Sequence, residues 1–166
     1  MRSRHYSLLK DRPYTRLEYI HSKPQSKITK FTMGNPDQKY EYEVRLIAQE
    51  DCQISDHALE ASRIAANRYL EKKLGKDYLF RILVYPHHLL REHRMLYGAG
   101  ADRLQKGMKL AFGKPFARAA RVRRDQTISV VYVNKRGLEV AIEALRRAKH
   151  KYPVKCRIEV KKIVED

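Results

Sequence analysis

Tryptophan is absent from this sequence, cysteine occurs only twice, and acidic residues are about half as numerous as basic ones. Cys52 and Cys156 lie far apart and form no CxxC pair, so the sequence predicts neither a zinc site nor a disulfide framework. Both cysteines are expected to be reduced, as in a cytoplasmic protein. No apolar run approaches the roughly 20 residues that a membrane-spanning helix needs. The basic N-terminus also lacks the apolar segment of a signal peptide, so no segment inserted in a membrane is expected.

The known catalytic and cofactor motifs are also missing. Gly98 and Gly100 begin like a dinucleotide-binding fingerprint, but Arg103 occupies the position where the third glycine belongs. The sequence contains neither a GxxxxGK[ST] phosphate-binding loop nor a GxSxG nucleophile motif. The carboxylates concentrate at 41–51, and nothing in the sequence places them in a cleft. We therefore expect a protein that is not an enzyme and that uses no cofactor.

A histidine cluster is the one pattern that suggests a metal. His87, His88 and His93 follow a predicted strand, and Glu92 lies among them. Their spacing fits neither the HExxH pattern nor a zinc finger, and no cysteine joins them. We expect no metal here, and instead either contact of the imidazoles with phosphate or simple packing.

The charge balance is the strongest compositional signal. The 166 residues include 36 Lys and Arg against 19 Asp and Glu, which gives a formal net charge of +17 and a pI near 10.0. Hydrophobic residues make up an ordinary 43%, so the chain 1–166 is expected to fold as one domain with a real core. So many cations indicate a strongly anionic partner, which could be RNA, DNA or an acidic membrane surface.

Hydrophobic periodicity predicts an α+β fold. Strands are expected over 27–33, 40–49, 78–85, 126–133 and 154–160. One helix is expected from a Ser55 or Asp56 cap to Leu74, and a second from about 135 to 149, capped by Asn134. The economical arrangement is a two-layer sandwich in which two main helices cover one face of a mostly antiparallel sheet. The strands at 78–85 and 126–133 are expected to pair and to support a long basic internal loop between them.

The first 26 residues form a basic arm in which tyrosines and prolines alternate with cations. We expect it to be extended, with a helical turn at 15–20. Arginine with interleaved tyrosine suits single-stranded or looped RNA, because guanidinium groups pair with phosphates and bases stack on rings. The alternative is a structured terminus that packs its tyrosines on the core. The candidate RNA-binding residues of the arm are Arg2, Arg4, Arg12, Tyr14, Arg16 and Lys23.

A second basic stretch, 98–124, is predicted to be a long loop, because neither helical nor strand spacing persists in it. Asp102 is its only acid before residue 125, and its glycines let the backbone approach a partner closely. The alternative is a solvated, flexible surface loop. The candidate RNA-binding residues in and beside this stretch are Arg91, Arg94, Gly98, Gly100, Arg103, Lys106, Gly107, Lys109, Gly113, Lys114, Arg118, Arg121, Arg123 and Arg124.

Four separated segments resemble one known family in the same order. They read RPYTRLEYI at 12–20, KITKFTMGN at 27–35, GAGADRLQKGMKLAFGKP at 98–115 and ALRRAKHKYP at 144–153. Together they resemble the universal large-subunit ribosomal protein family called L-sixteen in bacteria and L-ten-e in archaea and eukaryotes. The variants at 109–111 and 116–118 favour its archaeal branch.

The resemblance implies a structural, non-enzymatic protein of the large ribosomal subunit in the cytoplasm. Its partners would be large-subunit rRNA, neighbouring ribosomal proteins, and A- and P-site tRNA; it would not be a homo-oligomer. By the same resemblance, the loop Gly100–Lys114 would reach toward the peptidyl transferase centre, with Arg103, Lys106 and Lys109 nearest to tRNA or rRNA. The protein would join late in subunit assembly and help to shape the tRNA site.

Two other functions remain open from the residues alone. A free RNA-processing or tRNA-binding enzyme would need a catalytic cluster, for which His93 and Asp102 are the available groups. A DNA-compacting protein would bind duplex DNA and would leave the long loop unexplained. Most acids lie away from the basic loop, so no active site is expected in it.

Overall fold

The structure, a computed structural model, describes residues 4–7, 9, 12–93, 98–99 and 113–163. This part of the chain forms two antiparallel sheets and two long helices. The helices are α1 (Arg4–Ser7), α2 (Asp56–Leu74) and α3 (Leu138–Lys149), with 3-10 turns at Leu17–Tyr19 and Lys135–Gly137. The strands are β1 (Thr32–Gly34), β2 (Tyr42–Ala48), β3 (Cys52–Ser55), β4 (Leu79–Ile82), β5 (His88–Glu92), β6 (Lys114–Val122), β7 (Thr127–Val133) and β8 (Cys156–Lys162).

The α+β sandwich is confirmed, but its strands divide between two sheets, where the sequence predicted one. A five-stranded sheet has the order β1-β4-β7-β2-β8, and a three-stranded sheet has the order β3-β6-β5. Neighbouring described strands pair antiparallel throughout. The two sheets meet where β2 ends at Ala48 and the chain turns into β3 at Cys52.

The long helix α2 begins and ends where its local signals predict. The Ser55 hydroxyl accepts a hydrogen bond from the Ala58 N–H at 3.2 Å and so caps the first turn. Gly75 ends the helix with a φ of +62°, a conformation that glycine adopts without a Cβ clash. The start of α3 was predicted less well. Asn134 makes no side-chain cap hydrogen bond, and a 3-10 turn precedes the α-helix at Leu138.

The main core lies between the helices and one face of the five-stranded sheet. Val44, Leu46 and Ala48 of β2 are fully buried there, as the alternation of the strand predicts. The buried stripe of α2 includes the small Ser62, whose hydroxyl lies 2.7 Å from the Tyr152 hydroxyl beyond α3. This buried hydrogen bond joins α2 to the chain that follows α3.

The predicted strands at 40–49 and 126–133 are confirmed as β2 and β7, but three others differ in extent. The segment 27–33 contributes only the short β1, and 78–85 contributes only Leu79–Ile82 to β4. The last strand, predicted at 154–160, runs instead over Cys156–Lys162. The predicted pairing of the strands at 78–85 and 126–133 is confirmed, since Phe80 of β4 lies opposite Val131 of β7.

The loop predicted over 98–124 was too long, because its second half is strand. Residues Lys114–Val122 form β6, the central strand of the three-stranded sheet, and β5 was also missed. Three alanines weaken the strand signal of β6, because alanine is depleted in strands and gives little hydrophobic contrast. A β-bulge between Leu90 and Arg91 further breaks the register of the β5–β6 pair. The strands that border the remaining loop are therefore β5 and β6.

Candidate nucleic-acid interface

The strands β5 and β6 flank the glycine-bearing stretch in sequence and pair with each other. The pairing ends with Glu92 opposite Lys114. Gly113, the residue just before Lys114 in the chain, lies in the left-handed region with a φ of +70°. A Cβ on Gly113 would lie 2.8 Å from the Glu92 carbonyl carbon and 2.9 Å from the His93 nitrogen. Glycine is therefore required at position 113 by both conformation and space. Lys114 places an exposed cation beside it. We call this end of the β5–β6 hairpin, formed by Glu92, Gly113 and Lys114, the neck.

The N-terminal arm packs against this hairpin, where the sequence left open whether it packs or binds RNA. The Leu89 N–H donates to the Tyr14 carbonyl at 2.9 Å, and the Tyr14 N–H donates to His88 Nδ1 at 2.8 Å. Farther along, the buried His5 donates from Nε2 to the Arg91 carbonyl at 3.3 Å. The helical turn predicted at 15–20 is confirmed as the 3-10 turn Leu17–Tyr19.

Three arginines predicted to bind RNA also take part in holding the arm. Arg118 Nε donates to the Pro24 carbonyl at 2.8 Å, and Arg121 Nη2 donates to the Leu9 carbonyl. The Arg91 guanidinium lies 4.4 Å from the centre of the Tyr14 ring, in a cation–π contact. Because each guanidinium has five N–H donors, these contacts do not prevent the same arginines from also binding phosphate.

His88 is neutral at physiological pH, which suits its role as an acceptor. Burial, together with the smaller effect of the positive charges of Arg121 and Arg91, lowers its pKa from 6.5 to about 4. The unprotonated Nδ1 can then accept the hydrogen bond from the Tyr14 N–H. The sequence left open whether the histidines contact phosphate or pack within the fold, and His88 packs within the fold.

Three described cations of the arm project into solvent. Arg12, Arg16 and Lys23 are exposed, and Arg16 pairs with Glu18 at 3.2 Å while stacking on Tyr19. An exposed pair of this kind is weak, with a typical value of about 0–1 kcal/mol, so it does not prevent Arg16 from exchanging Glu18 for a phosphate.

Arg123 and Arg124 lie at the other end of β6 from the neck. Nine residues of strand separate Arg123 from Gly113, a distance of roughly 33 Å at about 3.3 Å per residue. The Arg124 N–H donates to Asp51 at 2.7 Å, and its guanidinium lies 3.7 Å from Asp125. The fold therefore does not bring these two arginines together with Gly113 and Lys114, although their side chains are exposed.

Seven predicted RNA-binding residues and one side chain lie outside the part of the chain that the structure describes. The residues are Arg2, Arg94, Gly100, Arg103, Lys106, Gly107 and Lys109, and the side chain is that of Arg4. Gly98 is described and has a φ of +125°.

The outer face of the five-stranded sheet carries acids together with cations. Arg45 pairs with Glu43 at 2.6 Å, and Arg157 pairs with both Asp125 at 2.9 Å and Glu159 at 2.7 Å. These partners partly neutralise the basic charge there.

Among the described residues, no three His, Cys, Asp or Glu residues are grouped so that they could hold a metal ion. The described helices are too short or too polar to cross a membrane.

The sequence profile of the ribosomal protein L16p/L10e family matches residues 9–159, which covers most of the arm, both long helices and every described strand except the end of β8. The chain belongs to this family. It is therefore a ribosomal protein of a structural, non-enzymatic kind that is found in the cytoplasm.

Relatives from three archaea extend this finding. A protein from Hyperthermus butylicus is 51% identical over 155 residues, covering 93% of this chain and 86% of the relative. One from Saccharolobus solfataricus is 52% identical over 150 residues, covering 89% and 84%. One from Methanococcus maripaludis is 45% identical over 161 residues, covering 96% and 93%. All three are named large ribosomal subunit protein uL16, and their source confirms the archaeal resemblance.

Proposed function

We propose that this chain is a structural constituent of the large ribosomal subunit and binds large-subunit rRNA through its arm and its basic hairpin. The observation that carries the proposal is the packing of the arm on β5. Tyr14 bonds to both His88 and Leu89, which fixes exposed cations on either side of a rigid two-stranded base. Phosphate contacts from such cations position a protein on RNA without reading its sequence.

The loop 100–112 is the part of the chain that reaches the tRNA site. Family membership and the neck at Gly113 support this assignment, because glycine at a positive φ lets the backbone turn where the β5–β6 pairing ends. The cations Arg103, Lys106 and Lys109 then contact the acceptor arms of A- and P-site tRNA or the rRNA near the peptidyl transferase centre. Catalytic groups are not required there, since the family resemblance implies that RNA carries out the peptidyl transferase reaction.

Sedimentation of a cell lysate through a sucrose gradient tests the proposal. The chain is expected to travel with the large subunit and to remain there after a high-salt wash, because it is integral to the particle. If an isolated protein–RNA pair depended on about six to ten phosphate contacts, its affinity would fall by roughly three to five decades between about 50 and 200 mM salt. Retention in high salt therefore requires that the chain be enclosed in the particle. A chain that stays at the top of the gradient would overturn the proposal and favour a free RNA-binding protein or RNA-processing enzyme.

A further inference from the structure

An exposed stripe of apolar and aromatic side chains lies between β4 and β5, outside the arm and the neck. In the segment 83–87, Val84 and Pro86 are buried and the alternate residues are exposed, and the His87 N–H donates to the Tyr85 carbonyl at 3.0 Å in a tight turn at Pro86. Leu83 is 56% exposed and Tyr85 is 44% exposed, which makes them two of the four exposed large hydrophobic residues of the described chain. The Leu83 N–H donates to the Ile128 carbonyl at 2.9 Å, so the segment is held against β7.

Three rings of this stripe form a stack. The Tyr85 ring centre lies 5.3 Å from that of Phe31 with an interplanar angle of 30°, and 4.5 Å from that of His87 with an angle of 49°. Phe31 is half-buried and packs against the main core, whereas His87 is exposed. The stack is therefore anchored at one end and open to solvent at the other.

We propose that the Phe31–Tyr85–His87 stack, here called the aromatic stripe, binds an unpaired base of single-stranded RNA. This inference rests on the proposed rRNA-binding function. A base stacks on an aromatic ring regardless of its identity, so such a site needs no hydrogen-bond readout. Arg81 is exposed two residues before Leu83 on the same side of the extended chain and supplies a cation for the adjoining phosphate.

The size and composition of the stripe favour a base over a protein partner. A stable protein interface buries about 800 Å² on each side, with an apolar centre enclosed by polar residues. Beside the two exposed rings of the aromatic stripe, the surface offers one exposed aliphatic side chain, Leu83, and the guanidinium of Arg81. Rings with an adjacent cation match what a stacked nucleotide requires.

The stripe is also continuous with the proposed RNA-binding surface. His87 points to solvent, while the next residue, His88, accepts the hydrogen bond that holds the arm. From His87 to Glu92 at the neck the chain runs roughly 16 Å at about 3.3 Å per residue. A single strand of RNA can therefore contact the stripe and the cations of the neck together.

Substitution of Tyr85 in the full-length chain tests the inference. We would measure the dissociation constant for a twelve-nucleotide uridylate at fixed salt, and for an abasic ribose-phosphate strand of the same length. Tyr85→Ala is expected to weaken uridylate binding by about fivefold to about a hundredfold, as loss of one stacked base does, and to leave abasic binding unchanged. Tyr85→Phe should bind like the wild type, and Tyr85→Leu should weaken binding like Tyr85→Ala.

The matched control is Val160→Ala, which truncates a side chain of similar exposure (46%) on the edge strand β8. It should leave uridylate binding unchanged. Equal binding by Tyr85→Leu and the wild type would overturn the inference and indicate an apolar protein contact. An equal loss on the abasic strand would overturn it as well, because stacking would not be involved.

Fluorescence gives a second readout, because the chain contains no tryptophan. Tyr85→Trp introduces a single indole, and its emission should be quenched when uridylate binds but not when the abasic strand binds. An Arg12→Ala/Arg16→Ala/Lys23→Ala variant separates the two proposals. If it loses RNA binding while Tyr85→Ala binds like the wild type, the rRNA-binding function stands and the aromatic stripe does not. If the wild type binds neither strand, both proposals fail.

Discussion

The Tyr14 N–H donates a 2.8 Å hydrogen bond to His88 Nδ1, across 74 positions of sequence. The Tyr14 carbonyl accepts from the Leu89 N–H at 2.9 Å, so a single residue of the arm bonds to two neighbouring residues of β5. Through this contact the arm supports the hairpin that carries the basic loop. A change at His88 should therefore affect both the stability of the arm and the position of the loop.

The first prediction concerns the pH dependence of stability. His88 has a pKa of about 4 in the folded chain against 6.5 for an ordinary histidine, so the unfolded state binds the proton more tightly. Stability should therefore fall as the pH is lowered from about 6.5 toward 4, and should be restored as the pH rises again. Urea unfolding at pH 7 and pH 5 measures the difference.

His88→Asn is the matched variant for this measurement, since the asparagine oxygen can accept from the Tyr14 N–H but does not titrate. Its loss of stability between pH 7 and pH 5 should be smaller than that of the wild type. The other six histidines remain in both proteins, so the difference isolates His88. Identical losses in the two proteins would show that His88 is not the titrating group.

The neck gives the second prediction. Gly113→Ala forces a non-glycine residue into a positive φ and also places its Cβ 2.8 Å from the Glu92 backbone. We expect it to destabilise the chain by about 1–3 kcal/mol, the cost of a strained backbone position, or by more if the hairpin cannot adjust. Urea unfolding measures this loss.

Gly98→Ala serves as the control, because Gly98 shares the positive φ but a Cβ there would meet no described atom within 4 Å. It should cost less than Gly113→Ala. Equal costs would mean that conformation alone, and not the approach to Glu92, sets the requirement for glycine at the neck.

These contacts show why local signals predicted some parts of the fold and missed others. The start of α2 at Ser55 depends on a cap three residues away, and the core face of β2 depends on strict alternation, so both can be read from neighbouring residues. The strand β6 is rich in alanine and pairs with β5 through a bulge, which hides its period. The roles of Arg118 and Arg121 depend on carbonyls 94 and 112 positions away, and no local pattern encodes them.

The third prediction separates the loop from the fold. Replacing 100–112 by a short Gly-Ser linker, with Gly113 and Lys114 retained, should change the melting temperature by less than about 4 °C, which corresponds to about 1 kcal/mol for a chain of this size. The reason is that the described core is complete without it, with buried residues on both sheets and both long helices. Thermal unfolding by circular dichroism provides the measurement. A large drop would show that the loop packs on the core.

The fourth prediction addresses the charges of the loop. Arg103→Ala/Lys106→Ala/Lys109→Ala should weaken tRNA binding to the large subunit more than it weakens incorporation of the chain, because the arm and hairpin remain intact. Incorporation is measured by sedimentation and tRNA binding on the purified particles. The control removes three exposed lysines at the end of α2, Lys72, Lys73 and Lys76, and should affect tRNA binding less. Complete loss of incorporation by the loop variant would show that its main role is assembly.

The fifth prediction asks whether Arg118 holds the arm in the absence of RNA. Arg118→Lys keeps the positive charge but loses the planar guanidinium whose Nε bonds to the Pro24 carbonyl. We expect the free protein to be cleaved faster by a protease within the arm, because one of its anchors is lost, whereas phosphate binding should persist through the retained charge. Arg12→Lys, at an exposed arginine of the same arm, should leave the cleavage rate unchanged. If Arg118→Lys instead weakens RNA binding without changing cleavage, Arg118 acts mainly on the RNA, and the arm is held by Tyr14 and its partners on β5.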